Sequence, residues 1–375
     1  MDNFISVRDF ENHALSVLEP TVKNYYLGGT KAEETTKLNI DSFKKFRIRP
    51  KVLRNVSKRD ISTTILGEKV SMPLGVSPTA HQRWAHLCGE RASAKATESI
   101  GTIFILSSYS NCTIQEVAKA APNAIKWQQL AIHKDRDCTR HIVQTAEIAG
   151  FKAIVVSVDY PILSKSSTSK IKITKDARFC IYEDYYLSKN SQNDLGDIFS
   201  RVKTIIDDSV TWQDLLWLKS ITQLPIVVKG VLTAEDAVLA VNHGASAILV
   251  SNHGGRQLTS TISSIEALPE IVAAVGNKVE VYVDGGVRHG TDVFKALAVG
   301  AKMVKGVCGK AHNMGLSLRR RKGSTRCTRF TLRRNRGNVC FSRLSKCSRS
   351  HKRLSEAQVI IQSSLINKSL IFTFL

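Results

Sequence analysis

The chain holds 375 residues, 43% apolar and 23% charged, with 22 Gly and 8 Pro. That supplies enough apolar material for one large barrel or two ordinary domains, and it excludes a collagen-like, disulfide-stapled or wholly disordered chain. The formal net charge of +22 is unevenly spread: residues 1–305 carry +7, and residues 306–375 carry +15 with Glu356 as their one acid.

The first twenty residues include Asp2, Arg8, Asp9, Glu11 and Glu19 and lack the apolar core of a secretory signal. No run reaches the roughly 18 apolar residues of a membrane span. The eight cysteines contain no C-x-x-C pair. A soluble intracellular protein with reduced thiols and no metal site is therefore expected. A helix leading to Tyr25 and Tyr26 comes first, and these tyrosines read as packing residues. Short β-branched runs then recur at 72–76, 102–106, 124–130, 153–158, 225–228, 247–250 and 279–283, with an eighth opening at 301–304. The spacers carry helical patterns, such as 233–241, which opens with the capping sequence T-A-E-D. Strand and helix in alternation mean βαβ units, and eight strands favour a closed (β/α)8 TIM barrel over an open sheet. The spacer 161–224 is long, polar and rich in Ser, Lys and Asp, which predicts a lid insertion at about 164–210.

The strand ends are chemically unusual. They read S-P-T-A (77–80), S-S-Y (107–109), Q-L (129–130), S-V-D (157–159), K-G (229–230), S-N-H-G-G-R-Q (251–257) and D-G-G-V-R (284–288). Singly, Lys229 reads as a solvated strand end, His253 as a turn residue and D-G-G as a tight turn. Together on one barrel rim they amount to an active-site inventory of hydroxyls, an amide, carboxylates, cations and an imidazole. Spacing alone does not pair Asp159 with His253.

Across about residues 4–304, and above all in S-N-H-G-G-R-Q-L and V-D-G-G-V-R-H-G-T-D-V-F-K-A-L-A-V-G-A-K, the chain resembles the FMN-dependent 2-hydroxy-acid oxidases, the glycolate-oxidase-like family. The resemblance implies a TIM-barrel enzyme that oxidises (S)-2-hydroxy acids to 2-keto acids and passes electrons through FMN to oxygen, giving hydrogen peroxide. It implies His253 as catalytic base, Arg256 and Tyr25 as holders of the substrate carboxylate, and Asp159 as the partner of His253. Lys229 is implied as the cation at the flavin. The FMN contacts it carries over are Pro78, Thr79, Ala80, Ser107, Gln129, Ser157, Lys229, Ser251, Asp284, Gly285, Gly286 and Arg288. Those types suit the chemistry: a base, a planar carboxylate clamp and a cation at the electron sink. Family members are often peroxisomal and form tetramers, yet the C-terminus from Ile371 to Leu375 is no S-K-L-type signal. Without a targeting signal the chain would be cytoplasmic.

Some positions depart from the family pattern. Ala131 stands at a family tyrosine, Ser164 and Ser166 at a glycine and an arginine, Thr259 at an aspartate and Tyr109 at a tryptophan. Altered substrate choice, or a catalytically impaired barrel, is the alternative these raise.

The barrel domain is expected to cover 1–304, followed by a basic tail, 305–375, without a fold of its own. In the family the eighth strand continues V-F-V-G-R-P-x-x-W-G-L. Here Met303 is followed by V-K-G-V-C-G-K-A-H-N-M-G-L. Displaced by one base, the codons of 306–316 permit V-F-V-G-R-P and then force a tryptophan from Met314 and Gly315. The tail therefore reads as out of frame, after a short insertion covering Val304, Lys305 and one base more. The expected result is an eighth βα unit that is incomplete or disordered, with unpaired edges on the neighbouring strands. A functional rival is a basic tail that binds nucleic acid or an acidic partner, but it has no nucleic-acid motif and no aromatic stacking platform.

Overall fold

The computed structural model describes residues 6–53, 55–57, 59–159, 178–189 and 206–306, with two short strands of the tail at 358–361 and 370–372. Three helices come first: α1 (Val7–Val17), α2 (Pro20–Leu27) and α3 (Glu34–Asp41). Ser6 and Asp9 close a capping box on α1, and Pro20 opens α2 where its missing N–H costs nothing. Strand β1 (Phe46–Arg49) follows, then the hairpin of β2 (Thr63–Ile65) and β3 (Glu68–Val70).

Eight parallel strands then close into a barrel: β4 (Leu74–Val76), β5 (Ile103–Leu106), β6 (Ile125–Leu130), β7 (Ala153–Ser157), β8 (Ile226–Val231), β9 (Ala247–Val250), β10 (Glu280–Asp284) and β11 (Met303–Gly306). The I-F-I-L of β5, the A-I-V-V-S of β7 and the A-I-L-V of β9 are buried throughout, as strands covered on both faces must be. Their outer faces meet helices such as Gly89–Ile100, Arg136–Ile148 and Ser264–Val275. Several of these helices start on a side-chain cap: Thr113, Asp135, Thr211, Thr233 and Ser263. The expected helix at 233–241 is found as Ala234–Asn242, with Thr233 accepting from the Asp236 N–H.

The barrel is filled, not hollow. Ile105, Trp127, Val155, Val227, Leu249, Tyr282 and Met303 pack inward, and Ile65 and Val70 of the hairpin join the same cluster. Side chains on a strand alternate faces, so the next inward position lies two residues further along. Those positions are Ser107, Gln129, Ser157, Lys229, Ser251, Asp284 and Lys305. An apolar floor thus carries a polar upper rung, at the end where barrel sites form.

The unpaired edges expected beside the eighth strand are not found. β11 pairs with β10 through Met303, Val304 and Lys305, and with β4 through Val304, Lys305 and Gly306. Neither neighbour has an open edge there, because the hydrogen-bonding backbone is indifferent to which side chains follow Met303. The remainder of the eighth unit lies outside the described residues. In the tail, β12 (Gln358–Ile361) pairs antiparallel with β1, and β13 (Leu370–Phe372) with β12. Of the expected lid, residues 178–189 and 206–210 are described and include the helix Cys180–Ser188; Ser164 and Ser166 lie outside. Among the described residues Cys112, Cys138 and Cys180 are buried thiols outside any disulfide. Among the described residues no helix is long and apolar enough to cross a membrane.

Candidate active site

One cavity opens at the polar end of the barrel. Residues from widely separated strand ends line it: Pro78, Thr79 and Ala80 after β4, Ser107 after β5, Gln129, Ser157 and Lys229 on β6, β7 and β8, His253 and Arg256 after β9, and Asp284, Gly285, Gly286 and Arg288 at β10. Tyr25 reaches it from α2.

His253 sits in a left-handed turn, with φ +57° at His253, +67° at Gly254 and +73° at Gly255. Ser251 Oγ accepts the His253 N–H at 3.1 Å, which ties the turn to the end of β9. The imidazole Nδ1 lies 2.9 Å from Asp159 Oδ1, and Lys229 Nζ lies 3.5 Å from Asp159 Oδ2. Because the carboxylate can only accept, Nδ1 carries the proton and Nε2 is the basic nitrogen. Burial alone would raise the Asp159 pKa, but charged His253 and the Lys229 ammonium outweigh it and hold the carboxyl at about 2. A carboxylate so held is ionised at any working pH and stabilises a proton arriving on the imidazole.

Arg256 stands three residues beyond His253. Its Nη1 donates to the Gly28 carbonyl at 2.9 Å, and its guanidinium lies over the Tyr25 ring, 5.1 Å from the centroid. Tyr25 in turn packs edge-on against Trp84 and His81. Burial raises the Tyr25 pKa more than Arg256 lowers it, so the phenol keeps its proton. Burial, aided by Arg256, drives His81 down to about 3, leaving a neutral ring against the guanidinium. The chemistry available here is a base, a clamp of cation and phenol for a carboxylate, and an ion pair behind the base.

The far side suits a polar cofactor with an anionic end. Gln129 Nε2 donates to Ser157 Oγ at 3.2 Å, and its Oε1 accepts the Ser108 N–H. Ser77 Oγ donates to Asp284 Oδ2 at 3.1 Å, while Asp284 Oδ1 is buried without a hydrogen-bond partner among the described residues. Gly285 and Gly286 both have positive φ, +94° and +78°, so successive backbone N–H groups can turn toward one point. Arg288 and the first turn of the helix Gly290–Val299 stand beside them. Glu11 of α1 approaches Arg288 at 3.8 Å. A ring edged by Gln129, Ser157 and Lys229, a polyol at Asp284 and a phosphate at Gly285, Gly286 and Arg288 fit this order of groups, which is the order in FMN.

Most of the expected site residues therefore meet in one place. Asp159 and Ser251 are the two that do not line the cavity; each is buried behind His253 and holds it. Ala131 packs with Ile206 and Tyr109. Sequence reasoning missed an N-terminal strap. Thr36 Oγ1 donates to the Gly254 carbonyl at 3.2 Å, and the Asn39 and Asn252 amides exchange two bonds of 2.8 Å. Gly286 lies so close to the Asn39 carbonyl that no Cβ fits between them. Thr36 and Asn39 also line the cavity. Nothing local marks them, since the contacts span more than 200 residues.

Lys305 is the anomaly of the polar rung. It is fully buried, its Nζ 3.6 Å from the centre of the Trp127 ring and 5.7 Å from that of Tyr282, with no hydrogen-bond partner among the described residues. Burial pushes its pKa well below the usual lysine value, against a smaller opposing pull from Asp284.

Comparison with known proteins gives concordant results. The family described as FMN-dependent dehydrogenase matches residues 14–351. The chain is 45% identical over 329 residues to human 2-hydroxyacid oxidase 1, covering 86% of this chain and 88% of that protein. It is 41% identical over 304 residues to an Arabidopsis thaliana protein named peroxisomal (S)-2-hydroxyacid oxidase, covering 81% and 84%. Among solved structures, an oxidised active mutant of (S)-mandelate dehydrogenase superposes with a TM-score of 0.77 at 33% identity, covering 84% of this chain and 89% of that one.

Proposed function

The chain belongs to the FMN-dependent dehydrogenase family, and from that premise we propose that it oxidises (S)-2-hydroxy acids to 2-keto acids while oxygen becomes hydrogen peroxide. FMN is its cofactor. The observation that carries the reading is a single rim bearing His253 backed by Asp159, Arg256 stacked on Tyr25, and the polar wall that ends at Arg288.

In this reading Arg256 and the Tyr25 hydroxyl hold the substrate carboxylate and so fix the C2 carbon beside His253. Nε2 of His253 takes up the proton that leaves the substrate, and Asp159 steadies the imidazolium through Nδ1. Lys229 offsets negative charge developing at the polar wall. FMN, when bound, accepts the two electrons and hands them to oxygen. Gly285, Gly286 and Arg288 would hold its phosphate, and Asp284 its ribityl hydroxyls. Oxygen uptake with matching peroxide release on glycolate, lactate and longer 2-hydroxy acids tests the proposal; no peroxide from flavin-loaded protein with any of them would refute it.

Arg288→Met should weaken FMN binding by about 10- to 100-fold, the worth of one charge-assisted hydrogen bond, and leave riboflavin affinity unchanged. Flavin-quenching titrations with both ligands check this, and an equal loss for riboflavin would remove the phosphate role.

Kinship supports two further parts of the proposal, a peroxisomal site of action and a homotetramer. Organelle fractionation and light scattering decide them. We also propose that an insertion covering Val304, Lys305 and one base more interrupts the family sequence after Met303, and that the codons beyond it stand one base out of frame. Lys305 favours this: with the insertion removed, the displaced frame permits phenylalanine at that position, among Trp127, Tyr282 and Met303. A transcript read across the junction tests it.

A further inference from the structure

We propose that Gly230 is a positioning residue for the reaction, its missing side chain being what allows the Asp159 carboxylate to reach His253. The inference rests on the proposed function above. Strand β8 is irregular at this point: Lys229 pairs with Leu249 of β9, Val231 pairs with Val250, and the register shifts between them. Gly230 is the residue accommodated in the shift, and its φ of +113° is one that side-chain-bearing residues rarely adopt. The bulge has two consequences for the site. Lys229 still faces the barrel interior, opposite Ser157, and its carbonyl accepts the Val158 N–H at 2.9 Å, drawing the end of β7 across β8.

Asp159 then lies directly over Gly230. A Cβ there would come within 2.5 Å of Asp159 Cβ, 2.7 Å of Asp159 Cγ and 3.0 Å of Asp159 N. These atoms are the root of the side chain and the backbone itself, so no rotamer change relieves the overlap, and the loop must lift. A lift of about 1 Å would break the 2.9 Å contact to Nδ1 and lengthen the 3.5 Å approach of Lys229. Arg256 and Tyr25 have supports of their own in the Gly28 carbonyl and the Trp84 ring. The damage should therefore fall on proton transfer and spare substrate binding.

Gly230→Ala is expected to lower kcat about 100-fold, the usual consequence of a 1 Å misplacement, with KM changed less than about twofold. In the background Asp159→Gly, which removes the side-chain atoms that the added methyl would meet, Gly230→Ala should alter kcat less than about threefold and cost much less thermal stability than in the native background. Gly150→Ala, at a positive φ of +78° with nothing within 4 Å, measures the cost of backbone strain alone and should keep full kcat. Unchanged kcat in Gly230→Ala, a matching rise in KM, or an equal thermal loss in both backgrounds would overturn the proposal. If Gly230→Ala yields no folded protein, folding of the double variant supports the contact and its failure overturns it. Native protein that turns over no 2-hydroxy acid would refute the activity instead, while the thermal comparison would still decide the contact.

Discussion

Replacing His253 by alanine is expected to lower kcat for 2-hydroxy acids by about 10²- to 10⁴-fold, the range supplied by a well-placed general base, while flavin content stays at the native level. The imidazole faces the cavity, and its Nδ1 is committed to Asp159 at 2.9 Å, so proton uptake at Nε2 has one executor on this rim. Alanine and histidine both carry a Cβ, so the left-handed conformation at 253 incurs only a small new penalty and the turn should survive. Arg256 stays over Tyr25, which predicts a small change in KM. Single-turnover bleaching of the flavin absorbance measures the step directly. Retention of more than about a tenth of the native rate would remove His253 from the role of base.

Lys305→Phe should stabilise the protein by on the order of 3 kcal/mol and raise its Tm by roughly 5 °C. An ammonium with no hydrogen-bond partner among the described residues, held over an indole in a fully buried rung, is among the costlier arrangements a core can contain. The phenylalanine keeps the stacking partners and removes the buried charge. The effect depends on pH in a defined direction. Lys305 has a folded pKa below its unfolded value, so between the two the unfolded chain binds more protons and stability rises with pH, by up to about 1.4 kcal/mol per unit, until about 10.4. Below the folded value the full penalty is present. The phenylalanine variant should lose this slope, and Lys305→Met should lose it too. Denaturant unfolding of the three proteins at pH 7, 8 and 9 checks the claim; parallel slopes would show that Lys305 is not the group responsible.

Much of the architecture was legible because a barrel strand is short, β-branched and buried on both faces, and runs such as 103–106, 153–157 and 247–250 met that description. The site was legible for the same geometric reason: Val155 and Ser157, or Leu249 and Ser251, are one inward step apart, so a polar residue closing an apolar run marks the rim. Three things were not. The bulge at Gly230 looks in sequence like an ordinary strand end, since a register shift is a relation between two strands. Asn39 and Thr36 declare themselves only through partners more than 200 residues away. The closing of β11 was misjudged because side-chain identity after Met303 was taken as decisive, whereas parallel pairing is made by the backbone.

The strap made by Thr36 and Asn39 sets an order in time. Its partners, the turn at 252–255 and the glycines at 285–286, arise late in synthesis, so the earliest helices must wait for the last strands before they can settle. A nascent chain interrupted before β9 would have a beginning with nothing to grip.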